Sequence, residues 1–200
     1  MPTPNTRFNE FFEALNRPKN TLLTAKEFDV WRQSAPNWMS RAYRFTGVGA
    51  VLTGGRWNVP KVIPAVYGST NVDTMHAEVY ARAHAFGWSR EDLRPQLIVA
   101  MNWKLQAVLD LTLAETLDAL AVKQENLLWC DWKKDQLDGR EPLTQAIARA
   151  AFECLAEGLV APSARQPDGV NVVLFPSNLR QGSLVTTHHE EDIPFMHGLR

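Results

Sequence analysis

An arginine enclosed by two glycines and a tryptophan, in Gly54-Gly55-Arg56-Trp57-Asn58, is the group in this chain most clearly set for chemistry. Glycine frees the backbone to turn, and an indole face can carry a guanidinium, so the segment suits an anion. Tyr67 and Glu78 follow downstream, Arg44 precedes it, and Ser163 lies far along the chain. Each has a plainer reading. Arg56 could pair with a surface carboxylate, and Arg44 could be the outward position of an alternating strand. Tyr67 could be a sheet-packing aromatic, and Ser163 after Pro162 a turn residue. Glu78 has Arg82 four residues later, the favourable direction for an exposed helical ion pair of about 0.3–0.5 kcal/mol.

Other chemistries fit poorly. Gly47-Val48-Gly49 begins like a dinucleotide fingerprint but lacks the third glycine, and no Gly-Lys-Ser/Thr ending gives a P-loop. His76-Ala77-Glu78 imitates half of a zinc deaminase signature without the Pro-Cys-x-x-Cys half. His188-His189-Glu190-Glu191 has metal-binding composition but reads as a solvated terminal stretch, so no metal is expected.

The elements that must position these residues follow from patterning. Phe8, Phe11, Phe12 and Leu15 recur at helical spacing, and Thr24 to Glu27 has the capping-box pattern of a second helix carrying Phe28 and Trp31. Residues 42–46 alternate as a first core strand. Ile63 to Ser69 predicts another, and Thr70 or Asn71 caps a helix over Glu78 to about Phe86. Leu97 to Met101 is an apolar strand, with Val108 to Leu111 a further one. Leu113 to Val122 predicts a helix, and Trp129 to Pro142 an exposed connection. The clearest helix starts after Pro142 and ends at Gly158 as its C-terminal glycine; Leu159 to Ser163 and Val170 to Phe175 are strands. After Ser183 the pattern becomes a polar tail. The expected fold class is α+β, a compact single domain with a mixed central sheet and flanking helices.

Composition sets the outer bounds. With 200 residues, 45% of them hydrophobic, and seven tryptophans, one core can form. A net charge of -1 provides no general basic field for direct nucleic-acid binding. Cys130 and Cys154 are too few for a disulfide framework, so a reducing cytoplasm is expected. Residues 1–20 lack a secretory apolar core, and no segment approaches the roughly 20 apolar residues of a membrane helix.

In order, Tyr43-Arg44-Phe45, Gly55-Arg56-Trp57-Asn58, Ala65-Val66-Tyr67-Gly68-Ser69, helical Glu78, then Pro162-Ser163-Ala164-Arg165 before Val170-Asn171-Val172-Val173-Leu174-Phe175 resemble the RES domain. That family is named for an arginine, a glutamate and a serine, here Arg56, Glu78 and Ser163. The resemblance covers roughly residues 41–185, leaving residues 1–40 as an N-terminal helical annex and 186–200 as the polar tail.

The resemblance implies a fold related to ADP-ribosyltransferases and an NAD-consuming toxin of a bacterial toxin-antitoxin module. NAD would be substrate, not cofactor, with inorganic phosphate or water as acceptor; transfer of ADP-ribose to a protein and a noncatalytic ADP-ribosyl-binding module are the alternatives. A cognate antitoxin is the implied partner. Catalytic roles pass to Glu78, Arg56, Tyr67 and Ser163, and substrate binding to Arg44, Arg56, Tyr67 and Ser163. Loss of nicotinamide leaves an oxocarbenium-like centre that a carboxylate stabilises, for which Glu78 is the candidate. Arg44 and Arg56 suit phosphate oxygens, and Tyr67 suits stacking on nicotinamide or a hydroxyl contact. Ser163 is expected to donate a hydrogen bond. After Asn58 the chain departs from the common pattern with Val59-Pro60-Lys61-Val62, where Lys61 could add an anion contact. Three roles are open to the annex: shaping the pocket, binding the antitoxin, or making a homo-oligomer.

Overall fold

The computed structural model describes residues 2–17, 21–40, 43–85, 87–93 and 95–188. The first helix, α1 (Phe8–Leu15), forms where its aromatic spacing predicts. It packs on the later helix α8 (Leu143–Glu153), burying Phe11 and Leu15 completely or nearly so.

The segment with the capping-box pattern is not a helix. Residues Leu23–Ser34 form β1, which pairs antiparallel along almost its whole length with β3 (Leu97–Asp110). The reason is periodicity: Phe28 and Val30 lie two apart among polar residues and face Trp103 and Met101 across the ladder. A four-residue helix-start signal cannot outweigh an alternation that a whole neighbouring strand complements. In β3 the two expected strands are one, because Trp103 and Leu105 continue the inward alternation between them.

Residues 43–46 are likewise a turn, not the expected core strand. The amides of Tyr43 and Arg44 both donate to the Ser40 carbonyl, and the Thr46 amide and hydroxyl both bond the Tyr43 carbonyl. Gly47 follows at φ 69°, where an added Cβ would lie 2.5 Å from the Ala65 backbone nitrogen. These local hydrogen bonds and the left-handed glycine defeat a three-residue alternation.

Two short helices, α2 (Pro36–Met39) and α3 (Val48–Thr53), lead to β2 (Val66–Ser69) and α4 (Val72–His84). The Asn71 side chain accepts from the Thr74 amide and caps α4 as expected. Beyond β3 come α5 (Ala114–Ala119), α6 (Gln124–Leu128) and α7 (Trp132–Leu137). The expected open connection over 129–142 therefore contains a helix, capped by Asp131 accepting from the Lys134 amide.

Helix α8 ends at Glu153, not at Gly158. Leu155 takes the left-handed position at φ 60°, and the Ala156 amide returns to the Ala151 carbonyl. Gly158 opens β4 (Gly158–Pro162), where an added Cβ would sit 2.3 Å from the Val173 carbonyl oxygen. Strand β5 (Val170–Leu174) follows. The expected polar tail begins with β6 (Leu184–Thr187), a short strand on β3 whose Val185 packs on the core.

The sheet order is β1-β2-β5-β4-β3-β6, and the additional β1–β3 pairing closes the first five strands into a ring. Pairings are antiparallel except β3 with β4. One apolar cluster, including Val30, Val66, Met101, Trp103 and Leu174, lies among the strands; a second joins α1, α8 and the other sheet face. No helix among the described residues is long and apolar enough to cross a membrane.

Candidate active site

The arginine loop is built by the groups around it. Gly55 and Asn58 bridge through their backbones, and buried Asn58 donates from Nδ2 to the Ala50 and Ile63 carbonyls. Its Oδ1 accepts from the Tyr67 hydroxyl at 2.8 Å, and that hydroxyl accepts from the Trp57 amide at 3.0 Å. A Cβ on Gly55 would lie 2.6 Å from the Tyr67 hydroxyl oxygen and 2.8 Å from Asn58 Oδ1. Trp57 is a core residue, 2% exposed. With its neighbours turned inward, Arg56 is left to project, and its Nη1 donates to the Leu127 carbonyl of α6 at 2.7 Å.

Glu78 on α4 does not make the helical ion pair with Arg82 that their spacing suggests. Its Oε1 accepts from Ser163 Oγ at 2.6 Å and from Asn171 Nδ2 at 2.7 Å. Ser163 Oγ in turn accepts from the amides of Arg165 and Gln166, both at 3.1 Å, and Ser69 Oγ donates to Asn171 Oδ1 at 2.8 Å. The turn after β4 and strands β2 and β5 thus hold one carboxylate oxygen from two sides. Among the described residues Oε2 has no hydrogen-bond partner.

Electrostatics ties the loop to the carboxylate. Burial lowers the Arg56 pKa, opposed by negative charge at Cys130, Glu78 and Tyr67, while Arg165 adds to the fall. Arg56 nonetheless stays protonated at neutral pH. Burial raises the Tyr67 phenol well above its ordinary value, against the Trp57 amide and the charges of Arg82 and Arg56, so it is held neutral.

Four of the sequence-predicted residues, Arg56, Tyr67, Glu78 and Ser163, are therefore brought together. Their tasks are redistributed. The Tyr67 hydroxyl is spent on the Arg56 loop, and Ser163 donates to Glu78. Arg44 is buried elsewhere: its Nη1 donates to Thr187 Oγ1 on β6 at 2.8 Å, and its carbonyl accepts from Arg32 Nη1. Lys61 is exposed at φ 63°. His76 bonds Gln33 and stacks on Tyr80; the histidine-glutamate stretch 189–191 lies outside the described residues. Sequence reasoning missed Asn171 and Asn58 as site residues. Asn171 had a signal, being the one polar residue in an otherwise apolar strand.

A carboxylate with one oxygen fixed and one open, within electrostatic reach of a guanidinium on a hydrogen-bonded loop, is an arrangement for a substrate bearing phosphate and developing cationic character. The RES domain family's sequence model matches residues 29–196, and the chain belongs to that family. Among curated proteins it is similar to the NAD(+) phosphorylase MbcT of Mycobacterium bovis and of Mycobacterium tuberculosis, 27% identical over 157 residues, covering 74% of this chain and 79% of the relative. Its fold matches a chain of the crystal structure of the M. tuberculosis MbcT-MbcA toxin-antitoxin complex, with a TM-score of 0.66 at 20% identity, covering 92% of this chain and 90% of that one.

Proposed function

We propose that this protein is a toxin that consumes NAD by breaking the nicotinamide-ribose bond, with phosphate as acceptor. The observation that carries the reading is the Glu78 carboxylate fixed by Ser163 and Asn171, in a chain whose curated relatives are NAD(+) phosphorylases. Nicotinamide leaves with the electron pair of the C–N bond, and positive charge develops on the ribose. Glu78 Oε2 faces that charge while Oε1 stays on Ser163 and Asn171, so the carboxylate need not reorganise as the charge appears. Arg56 holds phosphate oxygens of the dinucleotide through the donors not used on Leu127. An oxygen of hydrogen phosphate then bonds the anomeric carbon, giving phosphorylated ADP-ribose and free nicotinamide. Water in that place gives ADP-ribose and releases a proton.

NAD enters as a substrate, and the mechanism uses no further cofactor. The setting proposed is the cytoplasm, with a cognate antitoxin as partner, which the toxin-antitoxin complex of the structural relative supports. Incubating purified protein with NAD, with and without phosphate, and resolving products by phosphorus NMR tests the reading. Phosphorylated ADP-ribose in the phosphate sample is expected; ADP-ribose in both samples means hydrolysis. Unchanged NAD in both rejects the proposal.

A further inference from the structure

The N-terminal residues, which the sequence leaves with three possible roles, are fastened to one place in the fold. Thr3 pairs with the connection between α7 and α8: its amide donates to the Gly139 carbonyl at 2.7 Å, and its carbonyl accepts from the Glu141 amide at 2.8 Å. Two residues on, the Asn5 amide donates to Glu141 Oε2 at 2.9 Å, and Asn5 Nδ2 to the Glu141 carbonyl at 3.1 Å. Glu141 is 5% exposed, and its carboxylate also accepts from both arms of Arg149, Nε at 2.6 Å and Nη2 at 2.8 Å. The Arg149 guanidinium in turn lies 3.4 Å from the centre of the Phe8 ring on α1. A buried carboxylate held by three donors, two of them a bidentate guanidinium, has little freedom to move.

The start of α8 also reaches the arginine loop. Gln145, four residues after Glu141 and fully buried, donates from Nε2 to the Gly55 carbonyl at 2.8 Å and to Gln136 Oε1 at 2.9 Å. The Gly55 carbonyl belongs to the peptide bond that leads into Arg56, and it also accepts from the Asn58 amide that closes the loop. Gln145 Oε1 is buried with no partner among the described residues, so the side chain is committed to what it donates. Glu141 and Gln145 thus stand on either side of the N-terminus of α8, the first gripped by the N-terminal segment and the second gripping the peptide before Arg56.

We propose that residues 3–8 form an internal brace and that Glu141 is a positioning residue: together they fix the start of α8 and, through Gln145, the backbone that presents the Arg56 guanidinium. Of the three roles open to the annex, this assigns it the shaping of the pocket. The consequence for NAD rests on the reading of Arg56 as a phosphate donor; the brace itself does not.

Amide hydrogen exchange of the full chain, resolved by mass spectrometry, tests the brace without substrate. The amides of Gly54, Gly55, Trp57 and Asn58 are all hydrogen-bonded, so loosening of the loop is measurable. The variants are Glu141→Gln, Gln145→Leu and Asn5→Ala, the last removing only the Nδ2 bond to the Glu141 carbonyl. Lys26→Met, which breaks the ion pair to Asp110, is the control for lost stability alone. Relative to β3, residues 54–58 are expected to exchange about tenfold faster or more in Glu141→Gln and Gln145→Leu, by a smaller factor in Asn5→Ala, and as in wild type in Lys26→Met. In turnover, Glu141→Gln is expected to raise KM for NAD severalfold with a smaller change in kcat, and to add nothing when Arg56 is already replaced by alanine, an outcome that destabilisation alone does not give.

Wild-type exchange at 54–58 in Glu141→Gln, or a rise in KM that persists undiminished beside Arg56→Ala, overturns the brace. Should Glu141→Gln fail to fold, Asn5→Ala decides by the same criteria. A loop loosened in the variants of a protein that leaves NAD intact upholds the brace and rejects the phosphorylase reading.

Discussion

Ser163 and Glu78, 85 positions apart in the chain, meet in a 2.6 Å hydrogen bond from Oγ to Oε1. Ser163 is itself fixed by two backbone amides, so the bond transmits the geometry of the β4–β5 turn to the carboxylate. Ser163 thus acts as a positioning residue. Ser163→Ala is expected to lower kcat for NAD cleavage about tenfold, the equivalent of roughly 1.4 kcal/mol, with a smaller change in KM. Asn171→Ala should act similarly, and the double variant should depart from additivity because both hold one oxygen. A Ser163→Ala enzyme with unchanged kcat would show that Glu78 does not depend on this anchor.

Glu78→Gln keeps an oxygen that can accept from Ser163 and Asn171 but removes the charge. Cleavage is expected to fall at least about a hundredfold, as loss of a preorganised electrostatic group at a charged transition state implies. The melting temperature should stay close to wild type. Measuring both on one preparation separates chemistry from folding, and full turnover in the variant would take Glu78 out of the mechanism.

The candidate site stands out from the sequence more plainly than the strands do. Gly54 to Asn58, Tyr67, Glu78 and Ser163 could be picked out because glycine, arginine, aromatic and acid in that order serve no single packing need. What residues did to one another across the fold was not visible. The Asn171 bond to Glu78 needs β5 beside β2, a pairing that no local pattern encodes. Residues 23–34 carried both a helix-start signal and a two-residue alternation, and only the partner strand β3 decided between them. Gly158 looked like a helix terminator because glycines often are. Its actual constraint is the Val173 carbonyl on a strand packed against it. Arg44 is expected at a substrate phosphate, yet it is buried beside Thr187 on β6, in a stretch that sequence alone renders as tail.

Tyr67→Phe tests whether the phenol serves the loop. The change leaves the Trp57 amide and Asn58 Oδ1 each short of a partner, costing about 1–3 kcal/mol in stability. Gly55→Ala attacks the same contact from the other side by placing a methyl in the space of the Tyr67 hydroxyl, at a cost of about 1–3 kcal/mol. Both variants are expected to melt lower and cleave NAD more slowly. Because burial holds the phenol neutral through the alkaline range, the wild-type rate should show no Tyr67 ionisation between about pH 7 and 9. A Tyr67→Phe protein as stable as wild type would mean that the hydroxyl does not support the loop.

Glu157 makes acid sensitivity a property of the scaffold. Its side chain is fully buried just before β4; burial raises its pKa, but hydrogen-bond donors, the amides of Arg180, Gln106 and Ala107 among them, outweigh that and bring it below its ordinary value of 4.5. A carboxylate whose folded pKa is depressed adds stability that is complete above its unfolded pKa and disappears as pH falls through the folded one. Glu157→Gln should therefore melt lower than wild type at pH 7, where the charge is lost and one of the two oxygens that accept from the three amides is replaced by a donor. The gap should narrow as pH falls below 4.5, since the wild-type carboxylate is then being protonated as well. Thermal melts of both proteins from pH 7 down to about pH 3 measure this directly. A gap that stays constant across the range would mean that the carboxylate's charge contributes nothing and that only its shape holds the β3, β4 and 180 segments together.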